Sequence, residues 1–260
     1  MKAMIVSKNT AMKTAGAVLA VCLAAAFFLT GIVFSLRPYS AVAALSESRI
    51  VPVYRVDRDD KKIAISFDAA WGSEKTMEIL DILDRYHVKT TFFLVGFWID
   101  AYPERTIQIA ARGHEIGNHS TNHPNMPTLS AEQMAQEIDE TQEKITKLTS
   151  QTPTLFRAPF GDYDNKLMSL LHEKGYEGIQ WSIDSLDWKD IGTDQIVQRV
   201  TGDVKSGDII LFHNNSEDVL EFLPIILEKL QSDGFTIVPI GELLLDEPYT
   251  VDNNGVQRAE

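Results

Sequence analysis

Short β-rich runs alternate with amphipathic helical runs along most of this chain, and this alternation constrains the fold more than any other feature. Apolar side chains between the β-rich runs recur at helical spacing, as they do from Leu220 to Leu230. Ser130, followed by Glu132 and Gln133, is predicted to cap the longest helix. Strand–helix alternation predicts an α/β fold, a distorted (β/α) barrel of about seven parallel strands. The seven β-rich runs are residues 62–67, 90–95, 114–117, 154–157, 178–183, 208–212 and 235–239.

The N-terminal part contains a nearly unbroken apolar run from Ala15 to Leu36, which is long enough to cross a bilayer as a helix. Lysines at positions 2, 8 and 13 precede it, so the first residues are predicted to stay in the cytoplasm and the rest to be exported. A cleaved signal peptide is the alternative, because Ala41-Val42-Ala43 has the spacing of a cleavage site. We expect a single-pass protein of the cell membrane with its main folded domain outside the cell.

These patterns divide the chain into four parts. Residues 1–36 are the cytoplasmic N-terminus and transmembrane signal anchor, and residues 37–60 are an extracellular tether without periodicity. Residues 61–246 form the folded domain. Residues 247–260 are polar and are predicted to fray.

Charge and cysteine content exclude several classes of function. The chain of 260 residues has a formal net charge of -13, which argues against non-specific binding to nucleic acid or to an anionic lipid surface. The only cysteine, Cys22, lies inside the apolar run. The exported part therefore has no thiol for a disulfide or a metal, and any metal ligand there must be His, Asp or Glu.

Polar side chains follow the predicted strands at their C-terminal ends. Because these ends meet at one face of a parallel barrel, we expect one shared site. His119 and His123 are four residues apart, so both imidazoles can reach one divalent ion, while Asp68 can handle a proton. The pattern points to metal-assisted hydrolysis. The residues are, in chain order, Asp68, His119, His123, Arg157, Asp184, Asp187 and His213.

Five short motifs, in this order, resemble those of the polysaccharide deacetylases, the carbohydrate esterase family (family 4) that shares the NodB homology domain. They are SFDAAWG, GNHSTNHP, RAPFG, DSLDW and LFH. The resemblance covers roughly residues 60–245. It implies that Asp68 is the catalytic base and that His119 and His123 bind a divalent metal, zinc, with cobalt or manganese as alternatives.

The resemblance also implies roles for the remaining polar residues. Arg157 would orient Asp68, and a main-chain N–H beside Phe160 would help to hold an oxyanion. His213 would be the general acid, with Asp187 as its carboxylate partner and Asp184 as the alternative. Three aromatic residues near strand ends are candidates for an apolar wall around an acetyl group or a sugar face: Trp71, Phe160 and Trp188.

One position departs from the family pattern. The family's second aspartate is the third protein ligand of the metal, and this chain has Ala69 there. Catalytic zinc sites usually present three protein ligands, so two histidines leave the ion short of a ligand and of a negative charge. Three outcomes are open: a weakly held metal with extra waters, replacement of the ligand by Asp68 or Glu74, or no metal.

The leading prediction is a membrane-anchored extracellular deacetylase that hydrolyses N-acetyl groups of N-acetylhexosamine polymers, with cell-wall peptidoglycan as its substrate. The alternative, motivated by Ala69, is a catalytically silent relative that keeps the glycan cleft and binds the wall. A third reading is a hydrolase of O-acetyl esters, whose better leaving group demands less from a metal. Sporulation-type deacetylases also resemble the altered first motif, which permits a role in sporulation.

Overall fold

The fold is built on a curled parallel sheet with helices on its outer side. The computed structural model describes residues 49–260, and the predicted anchor with residues 37–48 of the predicted tether lies outside them. In the described range, no helix is long and apolar enough to cross a bilayer. The strands are β1 Arg55–Val56, β2 Lys62–Ala69, β3 Thr91–Leu94, β4 Glu115–Asn118, β5 Leu155–Phe156, β6 Glu177–Gly178, β7 Ile183–Asp184, β8 Ile209–His213, β9 Thr236–Ile237, β10 Tyr249–Val251 and β11 Val256–Ala259. The helices are α1 Thr76–Arg85, α2 Gly96–Ala101, α3 Pro103–Ala111, α4 Ala131–Thr149, α5 Asn165–Glu173, α6 Thr193–Thr201, α7 Val219–Ser232 and α8 Ile240–Leu243.

Strand order explains why the sheet curls. The order is β6-β5-β4-β3-β2-β8-β7, every neighbouring pair is parallel, and β9 pairs with β2 beside this path. The two edge strands, β6 and β7, are joined by residues 179–182 alone. Because an extended chain covers at most about 3.5 Å per residue, the sheet must bend until its edges approach each other. The result is a curled half-barrel of seven parallel strands, which agrees with the predicted barrel.

The run 178–183, predicted as one strand, is instead split between the two edges of the sheet. Backbone N–H groups along it change partner: Ile179 donates to Phe156, Gln180 donates to Val53, and Ser182 donates to Ile209. The chain therefore crosses from β6 to β7 over the gap in the half-barrel. The prediction of a single strand was wrong because a β-rich composition carries no information about where the pairing partner changes.

Both ends of the described chain belong to the folded domain. β1 pairs in parallel with β11, and β11 pairs in antiparallel with β10. Val53 and Val56 are fully buried, and Val53 forms an isolated bridge with Ile179. The predictions of a tether through residue 60 and of a frayed tail from residue 247 are therefore wrong within residues 49–260, since each end satisfies the other end's backbone groups.

Strand β2 separates the apolar layer from the site. Because side chains alternate across a strand, one set packs against the helices while Ser66 and Asp68 face the inside of the half-barrel. A row of stacked rings stiffens this layer, with centroid separations of 5.0, 5.6 and 5.5 Å along Phe92, Phe67, Phe212 and Phe222. The β2 side chains of the apolar layer are Ile63, Ile65, Phe67 and Ala69.

Helix α4 begins at the predicted cap and supports a loop of the site. Ser130 Oγ accepts the N–H of Gln133, and the Gln133 side chain accepts the N–H of Ser130, which confirms the N-cap. One turn further along, the Glu137 carboxylate accepts the N–H groups of Thr121 and Asn122 at 2.8 and 2.7 Å. The helix thereby fixes the loop between the two candidate histidine ligands.

Candidate active site

Asp68 and Arg157 form a buried ion pair on the inner face of the sheet. Arg157 Nη1 donates to Asp68 Oδ1 at 2.7 Å and to Ser66 Oγ at 2.9 Å, and Nη2 donates to the Gln180 carbonyl at 3.2 Å. The guanidinium also lies over the Phe93 ring, 4.1 Å from its centroid. Burial alone would raise the pKa of Asp68, but the Arg157 charge and the nearby imidazoles hold it below its ordinary value. Asp68 is therefore an oriented carboxylate at neutral pH.

His119 is buried beside Asp68 with one ring nitrogen fixed. Its Nδ1 lies 2.7 Å from the carbonyl oxygen of Arg157. Because a carbonyl only accepts, Nδ1 carries the proton and Nε2 keeps its lone pair, 3.4 Å from Asp68 Oδ2. Burial lowers the pKa of His119. This neutral tautomer is the form in which imidazole binds metals.

His123 lies at the rim, between aromatic rings. Its backbone has a φ of 54°, and its N–H donates to Ser120 Oγ at 3.0 Å. The imidazole centroid is 5.0 Å from that of His119, 4.6 Å from that of Phe160 and 5.1 Å from that of Trp71, with near-perpendicular planes. Burial and the neighbouring His119 lower its pKa to about 4. His123 is therefore neutral at physiological pH.

The donor set for a metal is incomplete. Ala69, at the position of the family's third ligand, is fully buried in the apolar layer. The Glu74 carboxylate accepts the N–H of Ser73 at 2.9 Å, within its own loop. Asp68 Oδ1 already forms an ion pair with Arg157. Between residues 49 and 260, no group of three His, Cys, Asp or Glu side chains is arranged to hold a metal, so the two imidazoles do not fit a three-ligand zinc site.

His213 ends β8 and pairs with Asp187. Its Nδ1 lies 2.8 Å from Asp187 Oδ1, and its backbone N–H donates to Asp187 Oδ2 at 2.8 Å. Asp184 accepts the N–H of Leu186 instead, so the structure places Asp187 rather than Asp184 beside the imidazole. Burial alone would lower the pKa of His213, but Asp187 outweighs it and the pKa is raised. With Nδ1 donating to a carboxylate, Nε2 remains free to exchange a proton with a bound molecule.

The three aromatic candidates lie on the surface rather than in the core. Trp71, Phe160 and Trp188 are 58%, 64% and 55% exposed. Trp71 and Phe160 flank the His123 ring, and Trp188 directly follows Asp187. Phe160 has a φ of 61°, a strained conformation for a bulky side chain. Exposed aromatic rings next to a cluster of polar groups are typical of a ligand-binding cleft.

Sequence reasoning missed the residues that hold the site together. Ser66 stands two residues before Asp68, so strand alternation places it on the same face, and this signal was available. Gln180 had no such signal, since its contacts arise at the crossing between β6 and β7. The Gln180 carbonyl accepts a hydrogen bond from Arg157 Nη2, and the Gln180 side-chain amide donates to the Gly161 carbonyl at 3.2 Å.

Comparison with known proteins identifies the family. Residues 55–179 match the sequence profile of the polysaccharide deacetylases. The peptidoglycan-N-acetylglucosamine deacetylase of Bacillus cereus is 34% identical over 196 residues, which cover 74% of this chain and 92% of the relative. The uncharacterized protein YlxY of Bacillus subtilis is 31% identical over 193 residues, which cover 74% of this chain but only 60% of the relative.

Solved structures that resemble this chain belong to the same family. A CE4 family pseudoenzyme from Bacillus anthracis superposes with a TM-score of 0.72 at 32% identity, covering 74% of this chain and 68% of that chain. A mutant of that pseudoenzyme, described as having restored enzymatic activity, superposes equally well, with a TM-score of 0.72 at 33% identity, covering 74% of this chain and 71% of the mutant. The chain therefore belongs to the polysaccharide deacetylase family.

Proposed function

We propose that this chain is an exported, membrane-anchored member of the family that binds the N-acetylhexosamine polymer of the cell wall and whose N-deacetylase activity is silenced. The incomplete donor set carries the proposal: Ala69 cannot ligate, and no described side chain takes its place. The B. cereus relative, named as a peptidoglycan deacetylase, supports a wall glycan as the ligand. The likeness to a pseudoenzyme supports the loss of activity.

The proposal accounts for what the site retains. Asp68, Arg157, His213 and Asp187 remain paired and oriented, so the floor of the cleft keeps its shape and its polar groups. A protein that only binds glycan still needs this shape, because buried charges left without partners would destabilise the domain. Retention of the two pairs is therefore compatible with binding alone.

The test restores the missing carboxylate. Full-length wild-type protein and Ala69→Asp are compared for zinc content, for binding of N-acetylglucosamine oligomers and for acetate release. We expect the wild type to bind oligomers with substoichiometric zinc and no acetate release, and Ala69→Asp to gain both zinc and acetate release. Because zinc would bind the folded state of Ala69→Asp only, the melting temperature of this variant should also rise with added zinc.

Ala69→Asn is the matched control, since its amide has nearly the size of the carboxylate but no charge and is a poor zinc ligand. It should gain neither zinc nor activity. Failure of the wild type to bind any N-acetylhexosamine oligomer would contradict the proposal.

A metal-dependent N-deacetylase, the leading prediction from the sequence, is the second candidate. The observation that favours it is that His119 keeps a free Nε2 while Asp68 and His213 are both oriented for proton transfer. Wild-type acetate release that needs zinc or cobalt and is lost in Asp68→Asn and His213→Ala would establish this candidate and overturn the first. Release from O-acetyl esters alone would indicate an ester hydrolase.

The membrane anchor is a separate part of the proposal and rests on residues 15–36 of the sequence. Fractionation should place the full-length protein in the membrane. Protease added outside protoplasts should digest the domain. Recovery of the protein in the medium with a new N-terminus near residue 44 would show a cleaved signal peptide instead.

A further inference from the structure

The first residues of the described chain lie across the gap between the two edges of the sheet. We call residues 49–56 the strap. Val53 donates its N–H to the Gly178 carbonyl and accepts the N–H of Gln180, both at 2.8 Å. The side chain of Val53 is fully buried. The strap therefore fixes the backbone of the crossing, residues 179–182, between β6 and β7.

Gln180 carries this restraint into the site through two groups. Its carbonyl accepts a hydrogen bond at 3.2 Å from Arg157 Nη2, on the guanidinium that pairs with Asp68. Its side-chain amide donates to the Gly161 carbonyl at 3.2 Å. Gln180 is only 3% exposed, so both bonds lie in a region of low dielectric, where hydrogen bonds are stronger than in water. One residue thus contacts both the buried ion pair and the loop that carries Phe160.

This loop, residues 158–161, packs directly against the crossing. A Cβ built on Gly161 would lie 3.0 Å from Trp181 Cη2 and 3.2 Å from Gln180 Oε1, which is closer than ordinary van der Waals contact. Gly161 has a φ of 72° and Phe160 has a φ of 61°. Left-handed backbone is unfavourable for phenylalanine, so the loop needs support from neighbouring groups to keep this conformation. The crossing supplies that support.

The strap also contacts the chain just beyond this loop. Ile50 donates its N–H to Asn165 Oδ1 at 2.9 Å. The Arg49 guanidinium lies over the Tyr163 ring, 4.9 Å from its centroid. The strap therefore restrains the loop from two directions, directly on its C-terminal side and through Gln180 on the side of the ion pair.

We infer that Gln180 is a positioning residue of the glycan-binding cleft and that the strap holds Gln180 in place. Glycan binding then depends on the segment that leads into the domain from the predicted anchor, because pre-organisation of a binding loop reduces the entropy lost on binding. Neither the strap nor Gln180 belongs to any of the five motifs. This role rests on the proposed glycan-binding function, but the restraint that Gln180 places on residues 157–161 can be measured without a ligand.

The test compares full-length wild-type protein with Gln180→Met, whose side chain has a similar length but cannot donate a hydrogen bond. Hydrogen exchange measures the protection of residues 157–161. Calorimetric titration with a pentamer of N-acetylglucosamine, in the presence of a chelator, measures affinity. We expect Gln180→Met to exchange faster at residues 157–161 while β2 keeps its protection. Its affinity for the pentamer should fall on the order of fivefold, which corresponds to the loss of one hydrogen bond.

A double variant separates positioning from overall stability. If Gln180 acts through the loop, Gln180→Met should cost less affinity in the Phe160→Ala background than in the wild type, because the ring that the loop presents is already absent. An equal cost in both backgrounds would show that Gln180 does not act through the loop, and it would overturn the positioning role.

Val53→Ala and Val56→Ala test the strap as a matched pair. Both valines are fully buried and lose the same two methyl groups, but only Val53 pairs with Gln180, whereas Val56 donates its N–H to the Gly207 carbonyl. Exchange at residues 157–161 should rise in Val53→Ala only. An equal rise in both variants would indicate a general loss of stability and would overturn the role of the strap.

The results distinguish this role from the function on which it rests. Unchanged exchange in Gln180→Met, or faster exchange with unchanged affinity, overturns the positioning role while glycan binding stands. No binding of the pentamer by the wild type overturns the proposed function itself. A melting temperature measured for each variant identifies a loss of folding, and if Gln180→Met does not fold, Val53→Ala decides through the same exchange and affinity measurements.

Discussion

At the scale of single residues, the main feature of this site is that its buried charged groups occur in pairs. Arg157 is fully buried and offsets the Asp68 carboxylate, and Asp187 is buried against His213. Taking such groups out of water is costly, so each is tolerated only because its partner is in place. The sequence predicted these residues and their pairing from strand ends and motif resemblance. It could not predict whether a metal binds, because that depends on how donor atoms are arranged in space.

Removal of Arg157 should therefore destabilise the whole domain. We expect Arg157→Met to lower the free energy of unfolding by about 3–5 kcal/mol, because the Asp68 carboxylate is left buried without a counter-charge. Urea unfolding of the variant provides the measurement. Arg112→Met is the matched control, since Arg112 pairs with Asp81 and Asp84 at the surface, and its loss should cost at most about 1 kcal/mol.

A double variant identifies the cause of that loss. Arg157→Met combined with Asp68→Asn should recover part of the stability, because the uncompensated charge is gone. An equal loss in the single and double variants would show that packing of the arginine side chain, rather than its charge, stabilises the domain.

The His213–Asp187 pair predicts a pH dependence of stability. Burial lowers the pKa of His213, but the hydrogen bond and the charge of Asp187 raise it by more. The folded-state pKa of His213 therefore lies above its ordinary value. The pair's contribution is then fully present below the unfolded pKa of about 6.5 and is lost as the pH rises through the folded pKa. The difference in unfolding free energy between wild type and His213→Gln should shrink from mildly acidic to alkaline pH. Urea titrations across this range test it, and a difference that grows with pH would contradict the assignment.

At the scale of elements, most of the candidate site residues lie at the C-terminal ends of the strands or in the short connections that follow them. Left-handed backbone conformations occur there in Ser120, His123, Phe160 and Leu186. Regular elements were largely predictable, as the capping of α4 at Ser130 illustrates. The conformations of the connections were not, because they depend on contacts such as those of Glu137 and Gln180 that arrive from distant parts of the chain.

The strain at Phe160 can be measured with two small substitutions. Both Phe160→Gly and Phe160→Ala remove the ring, but only glycine adopts a φ of 61° without a steric penalty. Despite the entropy that glycine loses on folding, we expect the glycine variant to be more stable by about 1 kcal/mol. Thermal or urea unfolding provides the comparison. Greater stability of Phe160→Ala would mean that the loop relaxes to another conformation once the ring is absent.

The domain formed by residues 49–260 is closed by its first and last strands. β1 and β11 pair across roughly two hundred residues of sequence, and the segment around Val53 covers the gap between the sheet edges. Strands of only two to four residues are too short to show a period, so local pattern could not identify them. Central strands such as β2 and β8 contain longer β-rich runs and were therefore predictable.

The packing of β1 on the base of the half-barrel can be tested at Gly207. Its carbonyl accepts the N–H of Val56 at 2.9 Å, and a Cβ at this position would lie only 1.7 Å from the Val56 carbonyl oxygen. Gly207→Ala should therefore displace β1 as well as strain a backbone with a φ of 84°. Gly192→Ala is the matched control, because its φ of 86° imposes the same strain while no atom lies within 4 Å of the new Cβ.

We expect Gly207→Ala to lose about 1–3 kcal/mol more unfolding free energy than Gly192→Ala, which is the usual cost of a forced backbone shift. Limited proteolysis adds a second readout, since displacement of β1 should expose Arg55 and Arg58 to trypsin in Gly207→Ala only. If both variants lose the same stability and resist trypsin equally, the first strand does not contribute to the closure of the domain. A selective effect at Gly207 would show that the segment leading out of the predicted tether is a structural part of the half-barrel.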